Sequence, residues 1–597
     1  MAVRYGPRFV NQPRVPIWIP SRSLLLMLSG AVRKCKRESA MAKFRKRMMK
    51  MMKWGLASAK VGLATAVIMG VQTAIAGPIT PVPSANPKVS GFSSPNVLSP
   101  EFQEVIVAQG STPLENPSSE TSKYYGYSND GPMIPALGDL PSPSHKVEAS
   151  KTEPDKNTYL VLEGQHGAAP GYSYGTHFLF QGHELGLNNQ GIITRINLDA
   201  DGAHRVTLLA EKEQDGTPLL TIDGSTWYPF SRRLLFSSER GNGGGIYQAT
   251  PDFPSVVDNL FGVMGRGGYE GMQVDPAGNI LIIEDVGGRT GSTNSHARQP
   301  NSFLYRFVPK NLGDLKAGGK LQALQAMSLD HAGPIVFNAG NVDGDILSND
   351  MRDLHTYGKV FDTQWVTIHD TDLQGFASFD ANKLAKDAGA TPFKRPENGQ
   401  FRPGSEFREF YFDETGDTNA LTEAVDHGGF GSIMKLTSQG LSGDKGKLTM
   451  VYKGDVQHTG FDNVAFLAPN KIVFVEDAGD SLHSQRNALD SAYMFDLRID
   501  YSNSANQPVR VLALGRDSSA TIDSAFLGMT GYQNDGDNEI TGFYMSDGDP
   551  TREGLLGAKK PRLFRDGGRV FYTQQHGDNS TFEILPAKSD WGHDGGE

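Results

Sequence analysis

One cysteine, Cys35, occurs in 597 residues. Its scarcity excludes an intramolecular disulfide framework and any thiolate-rich metal site. Histidines are equally unhelpful to a metal: His183, His296, His331, His427, His458 and His576 are scattered without ligand spacing, so each is read as a hydrogen-bonded or surface residue. A membrane-spanning segment is not evident. The apolar run Gly55–Val71 is short, rich in glycine and alanine, and interrupted by Lys60, which disfavours a bilayer span. What is abundant is glycine (69) and proline (34), the composition of a chain with many tight turns, as in an all-β fold.

The N-terminal text reads as targeting. Residues 1–40 are basic and irregular; from Met41, MAKFRKRMMKMMKW forms a basic region, an apolar stretch follows, and Ala74-Ile75-Ala76 fits a signal-peptidase site before Gly77. Residues 41–76 are therefore expected to be a secretory signal, with Met41 the start of translation and the preceding stretch an extension. Arg45-Lys46-Arg47 offers no twin arginine, so general secretion to the periplasm or exterior is expected. Removing residues 1–76 takes away 15 Lys+Arg and one acid, leaving 42 basic against 66 acidic residues. The formal charge then becomes −24 rather than −10. Such a surface excludes nucleic acid as a partner and suits divalent cations.

The folded part is organised by a repeat. Arg266–Gly288 places Glu270 before a turn (Asp275–Asn279), then a β-branched strand, Ile280–Ile283, ending in Glu284-Asp285. Strands of the same kind recur at Gly175–Gly186, Thr221–Gly244, Arg395–Asp417 and Gly460–Asp480, with weaker copies at Ile540–Asp549 and Gly567–Asp578. In four copies an acid precedes the strand-end Glu by a similar interval: Asp223 and Glu239, Glu270 and Glu284, Glu397 and Glu414, Asp462 and Glu476. Repeats of ~45–70 residues holding several strands each point to a β-propeller of about six blades. Equivalent strand ends would then gather carboxylates around one axis. Against this stands the plain fact that β-turns favour Asp, Glu and Gly on their own account.

The expected layout is an N-terminal extension and signal (1–76), a Pro/Ser-rich arm (77–150), an all-β propeller (151–586) and a tail (587–597). Leu312–Met327 and Phe379–Gly389 are read as short helical insertions, the second ended by Gly389. We expect a monomer.

The string GATPFKRPENGQF, the His183-Glu184 strand end, GYEGMQVDPAGNILIIED and the terminal FYTQQHGDN together resemble the PhoX-like alkaline phosphatase family of secreted β-propeller enzymes. The resemblance covers roughly Tyr159–Asn579. It implies phosphomonoester hydrolysis at a central cluster of iron and calcium ions. By the matching motifs, Glu184, Glu270 and Glu397 would be metal-binding carboxylates and Arg395 the phosphate clamp. Glu239, Glu284, Asp285, Glu476 and Asp477 would be further calcium ligands. One departure stands out: where the family carries a cysteine thiolate, this chain has Ser238. A serine hydroxyl is a poor iron ligand, so the remaining oxygen set points to calcium and disfavours iron.

The chemistry can be argued from the residues as well. A phosphate monoester approaching so acidic a protein needs bound cations to invert the local field, and an Arg fork to hold the remaining oxygens. Two other readings remain open at this stage: a calcium-dependent propeller lactonase-type hydrolase, and a non-catalytic calcium-binding envelope protein.

Overall fold

A computed structural model describes residues 79–88, 94–129, 151–185, 190–440, 443–515, 539–575 and 579–587. The chain divides into two compact units, Met1–Ile75 and Ala76–Glu597, and every described residue belongs to the second. The expected extension, signal and most of the C-terminal tail lie outside the described residues. No helix among the described residues is long and apolar enough to cross a membrane.

Two short strands come first, β1 (Val97–Leu98) and β2 (Phe102–Ala108). Next β3 (Pro154–Val161), β4 (His177–His183), β5 (Ile192–Asn197) and β6 (Val206–Ala210) pair in order as an antiparallel meander. The pattern repeats with β7 (Ser225–Tyr228), β8 (Arg233–Ser238), β9 (Gly245–Ala249) and β10 (Val257–Asn259). A third meander comprises β11 (Tyr269–Val274), β12 (Ile280–Glu284), β13 (Leu304–Pro309) and β14 (Gly319–Ala326). Then β15 (Phe361–Asp370) pairs with β14 on one side and β19 on the other, fusing this meander to the fourth. That fourth meander is β16 (Gly399–Phe401), β17 (Glu409–Glu414), β18 (Ser432–Ser438) and β19 (Lys445–Lys453). The fifth is β20 (Phe461–Ala468), β21 (Lys471–Glu476), β22 (Ser491–Asp496) and β23 (Val509–Ala513), and the sixth β24 (Glu539–Ser546), β25 (Arg569–Gln575) and β26 (Ser580–Pro586).

Strands β3, β7, β11, β16, β20 and β24 each begin a meander and neighbour one another in a closed circle. Among the described residues six such meanders surround one axis, the arrangement of a β-propeller. Apolar residues between adjacent sheets form the core, for example Tyr228, Ile246 and Met264 against Ile280, Ile282 and Phe307. Because each sheet is packed on both faces, its strands are buried along most of their length rather than alternately.

Two expectations need correction. The segment 77–150, read as an arm outside the propeller, contributes β1 to the outer edge of the fifth sheet and β2 to that of the sixth. In the sixth sheet β2 supplies the fourth strand, beside β26, so chain start and chain end close the ring together; the bare edge of β26 is covered. Leu312–Met327, read as a helix, is instead a single 3-10 turn (Leu315–Ala317) followed by β14. Its Ala, Leu, Gln and Lys favour helix locally, but pairing with both β13 and β15 overrides that preference. The second insertion is helical as expected, Ala381–Asp387, capped by the Asp380 side chain on Lys383 N; Gly389 follows at φ +68°.

Candidate metal and phosphate site

Strand register gives the site a common frame. Tyr269 pairs with Glu284, Phe461 with Glu476, and Pro154 with His183. In each case the next residue on the innermost strand is an acid: Glu270, Asp462 and Asp155. Directly after that acid the register shifts, between Tyr269 and Met272, Phe461 and Val464, and Pro154 and Asn157. A bulge at this place kinks the strand and re-aims its side chains. Asp223, Glu397 and Glu539 stand at the corresponding entrances of β7, β16 and β24. All but Glu539 of these six acids are buried.

The acids meet. Oxygens of Asp155, Glu184 and Asp223 lie within 4.8 Å of one another, as do those of Glu239, Glu270 and Asp285, and those of Glu270, Glu397 and Asp462. Calcium sits ~2.4 Å from its oxygens, so ligands on one ion are at most ~4.8 Å apart; the three groups meet that limit. Asp413, Asp477 and Glu539 lie within electrostatic reach of the same set. Among the described residues the ring thus holds eleven carboxylates (the eight of the three groups plus these three) against two cations, Lys156 and Arg395. With every acid ionised, that would be a formal excess of nine negative charges.

Side chains between the acids hold them in place. Asn398 donates through Nδ2 to Glu270 (2.6 Å) and Asp462 (3.2 Å), and its Oδ1 accepts from the Lys156 ammonium. Asn463 Nδ2 donates to both Asp462 oxygens at 2.7 Å. Thr541 Oγ1 donates to Asp155 at 2.5 Å, Gln575 Nε2 to Glu184 at 2.9 Å, and the Thr415 hydroxyl to Glu397. These donors do not suffice. Asp223 is 4 % exposed and its Oδ1 has no hydrogen-bond partner. Burial first, and neighbouring carboxylates second, push Asp223, Glu239, Glu270, Glu397 and Glu539 well above the usual carboxylate range. Burial and then Asp155 raise Asp462 to about 7. The same energy that resists ionisation is what a bound cation satisfies. An all-oxygen, acid-rich donor set with a buried orphan oxygen fits a hard divalent ion.

Arg395 enters this ring from the segment before β16. Its Nε lies 2.9 Å and its Nη2 2.6 Å from Asp285 Oδ2, and Nη2 is 3.1 Å from Glu397 Oε1. Burial works against its charge, but Asp285 and Glu397 more than reverse that. Its backbone has φ +57°, left-handed in a residue that also precedes a proline, a combination sterics disfavours. Thr415 N and Gly416 N, donating to the carbonyls of Arg395 and Lys394 at 2.8 and 3.1 Å, hold the turn. Strain of this kind persists where surrounding contacts fix a functional side chain. One fifth of the side chain is exposed, so a ligand in the channel can reach it.

Of the residues singled out from sequence, Glu184, Glu239, Glu270, Asp285 and Glu397 come together, with Arg395 against them and Asp477 in their field. Glu284 and Glu476 do not join them. Glu284 Oε2 accepts from Tyr305 OH (2.8 Å), Asn382 Nδ2 (3.0 Å) and Phe303 N (3.2 Å), and burial raises it to about 8. Glu476 is clasped by Arg486 at 2.9 and 3.0 Å and by Ser491 N at 2.9 Å. The reason is the two-residue period of a strand: of the consecutive acids Glu284-Asp285 and Glu476-Asp477, only the second can face the channel. Glu414, aligned with them, is likewise held by His355 Nε2 at 2.8 Å. Ser238 is buried on β8, its Oγ 3.4 Å from Thr221 Oγ1.

Sequence reasoning left out Asp155, Glu539, Asp413, Lys156 and Asn398 as site residues, used Asp223 only as a repeat marker, and placed Asp462, with Asn463, at a channel ion only in the lactonase-type alternative. The interval between paired acids would have found Asp223 and Asp462. Nothing in the sequence singles out Lys156.

Fold and ring together define a propeller with a carboxylate-lined channel suited to cations. The family model for alkaline phosphatase PhoX matches residues 297–488, which bears out the resemblance to that family and the reading of a phosphatase-type hydrolase. The matched span includes Arg395, Glu397, Asp413 and Asp462 and excludes the first two blades. No curated protein matches the sequence significantly. Among solved structures, Pseudomonas fluorescens PhoX in complex with vanadate is similar with 11 % identity and TM-score 0.48, covering 84 % of this chain and 98 % of that one. Virginiamycin B lyase from Staphylococcus aureus is similar at 12 % identity and TM-score 0.28, covering 72 % and 99 %. TolB from Acinetobacter baumannii is similar at 11 % and 0.26, covering 73 % and 64 %.

Proposed function

We propose that this chain is an exported, cation-dependent phosphomonoesterase whose reaction takes place in the carboxylate ring. The observation that carries the reading is the ring itself, eleven carboxylates around two cations, with Arg395 reaching into it. Asp155, Glu184 and Asp223 would hold one ion, and Glu239, Glu270, Asp285, Glu397 and Asp462 the others; calcium matches their oxygens best. Bound there, such ions polarise phosphoryl oxygens and acidify a bound water. The protein's own contribution is positioning. Arg395 offers a planar fork of donors to the phosphate oxygens, exchanging part of its contact with Asp285 for the substrate. Thr415 and Asn398 fix the rotamers of Glu397 and Glu270, so the site is built before substrate arrives. Asp477, at the exit of β21, adds to the field that retains cations.

The test is hydrolysis of p-nitrophenyl phosphate by the mature chain, with calcium and with iron supplied separately. Turnover with calcium supports the reading. A folded, calcium-loaded protein that cleaves no phosphomonoester but opens lactones would replace it with the lactonase-type alternative. Absence of both activities would leave a calcium-binding envelope protein. Export is tested by finding the mature chain in the periplasm or medium, beginning at Gly77.

A further inference from the structure

Lys156 is the second residue of the β3 bulge, where β11 has Gly271 and β20 has Asn463. It is 3 % exposed. Its ammonium donates to Asn398 Oδ1, and the same Asn398 donates to Glu270 and Asp462. Burial holds its ammonium below the ordinary lysine range, and the charges of Glu270, Asp462, Asp155 and Asp413 act against that burial. A lysine is rarely buried without a paired charge, and here the pairing is with the very acids that can gather an ion, Glu270 and Asp462. The position is costly for any ammonium that does no electrostatic work. At the aligned bulge position of β11 there is no room for a side chain: a Cβ on Gly271 would lie 2.6 Å from Glu397 O. Only β3 carries a cation there.

We propose that Lys156 is a built-in cation of the ring: its ammonium neutralises the Glu270–Asp462 side and thereby sets the number of divalent ions the channel takes up, one fewer than its carboxylates could hold. A tethered ammonium is a compact point charge with three donors, so it can stand where an ion would otherwise be needed but cannot leave with a chelator. The inference rests on the cation-dependent reading above and deepens it. It concerns ion number, which activity alone does not report.

The experiment compares the mature wild-type chain with Lys156→Met, which keeps an unbranched stem of nearly the same length and removes the charge, and with Lys156→Arg. Each is stripped with chelator, equilibrated with calcium, freed of excess ion and measured by elemental analysis. The Met variant is expected to hold one more calcium per chain than wild type, and the Arg variant the same number as wild type. Equal counts in wild type and the Met variant overturn the inference while leaving the cation-dependent reading intact; no calcium in any of the three overturns both. Should the Met variant fail to fold in chelator, millimolar calcium is expected to restore it, the ion taking the place of the ammonium. A variant misfolded with and without calcium refutes the proposal.

Discussion

Stripping divalent ions from the mature protein should lower its melting temperature substantially, and the structure gives the scale. Three groups of carboxylates meet the geometric limit for an ion. Two like charges 4.8 Å apart at an effective dielectric constant of ~20 repel by roughly 3 kcal/mol, so the ion-free ring is strained unless it takes up protons. An ion at 100 times its dissociation constant stabilises the folded state by about 2.7 kcal/mol; three such ions give roughly 8 kcal/mol. Unfolding entropy of ~2.1 cal/mol/K per residue over the Ala76–Glu597 unit makes each kcal/mol worth a little under ~1 °C. Calcium should therefore raise the melting temperature by roughly 7 °C over chelated protein, measured by calorimetry. The gain should shrink in Glu270→Gln, because Glu270 belongs to two of the three groups. A melting temperature unchanged by chelator and by millimolar calcium would refute the reasoning.

Replacing Arg395 by Ala should lower kcat/KM for a phosphomonoester by ~10²–10³, as for loss of one preorganised donor to a developing oxyanion, while calcium content stays within one ion of wild type; steady-state kinetics with elemental analysis check both. Arg486→Ala should cost about 3–5 kcal/mol in denaturant unfolding, since it leaves the buried Glu476 without its partner, and should not change calcium content. His183 is buried between Thr152 and Thr194 and burial depresses it from 6.5 to about 3. The unfolded chain binds this proton first, so the stability His183 provides is complete above pH 6.5 and is lost as pH falls toward 3, by about 1.4 kcal/mol per unit. At pH 5 the loss is roughly 2 kcal/mol, and His183→Asn should flatten that limb of the stability profile; an unaltered slope would contradict it. Thr415→Val frees Glu397 from its hydroxyl and should lower kcat more than it raises KM.

How much of this was legible beforehand depends on the residue. The propeller showed in the recurring strand-end acids because the first hairpin of each meander, innermost strand and its neighbour, opens at the same end of one channel. Glu270, Glu397 and Arg395 were recognisable from family motifs. Glu284 and Glu476 misled, since the repeat locates a strand end to within one residue while strand alternation decides which of two adjacent acids faces the axis. Asp155 and Glu539 were missed for want of a strong flanking motif; the weak copy at Ile540–Asp549 starts one residue after Glu539. Lys156 could not be found at all: its surroundings depend on a bulge and on acids from three other places in the chain, Glu270, Asp413 and Asp462. Segment 77–150 was misjudged because β1 is two residues long and both β1 and β2 pair with strands more than 400 residues away. Local pattern carries no trace of such a closure.

The most direct test of the account is anomalous diffraction from crystals of the mature protein grown with manganese or with a heavier lanthanide in place of calcium. The account predicts peaks within about 2.6 Å of carboxylate oxygens in the channel, beside Asp155, Glu184 and Asp223 and beside Glu239, Glu270 and Asp285. Crystals that diffract well, show the ring intact and carry no anomalous density between those side chains would contradict it.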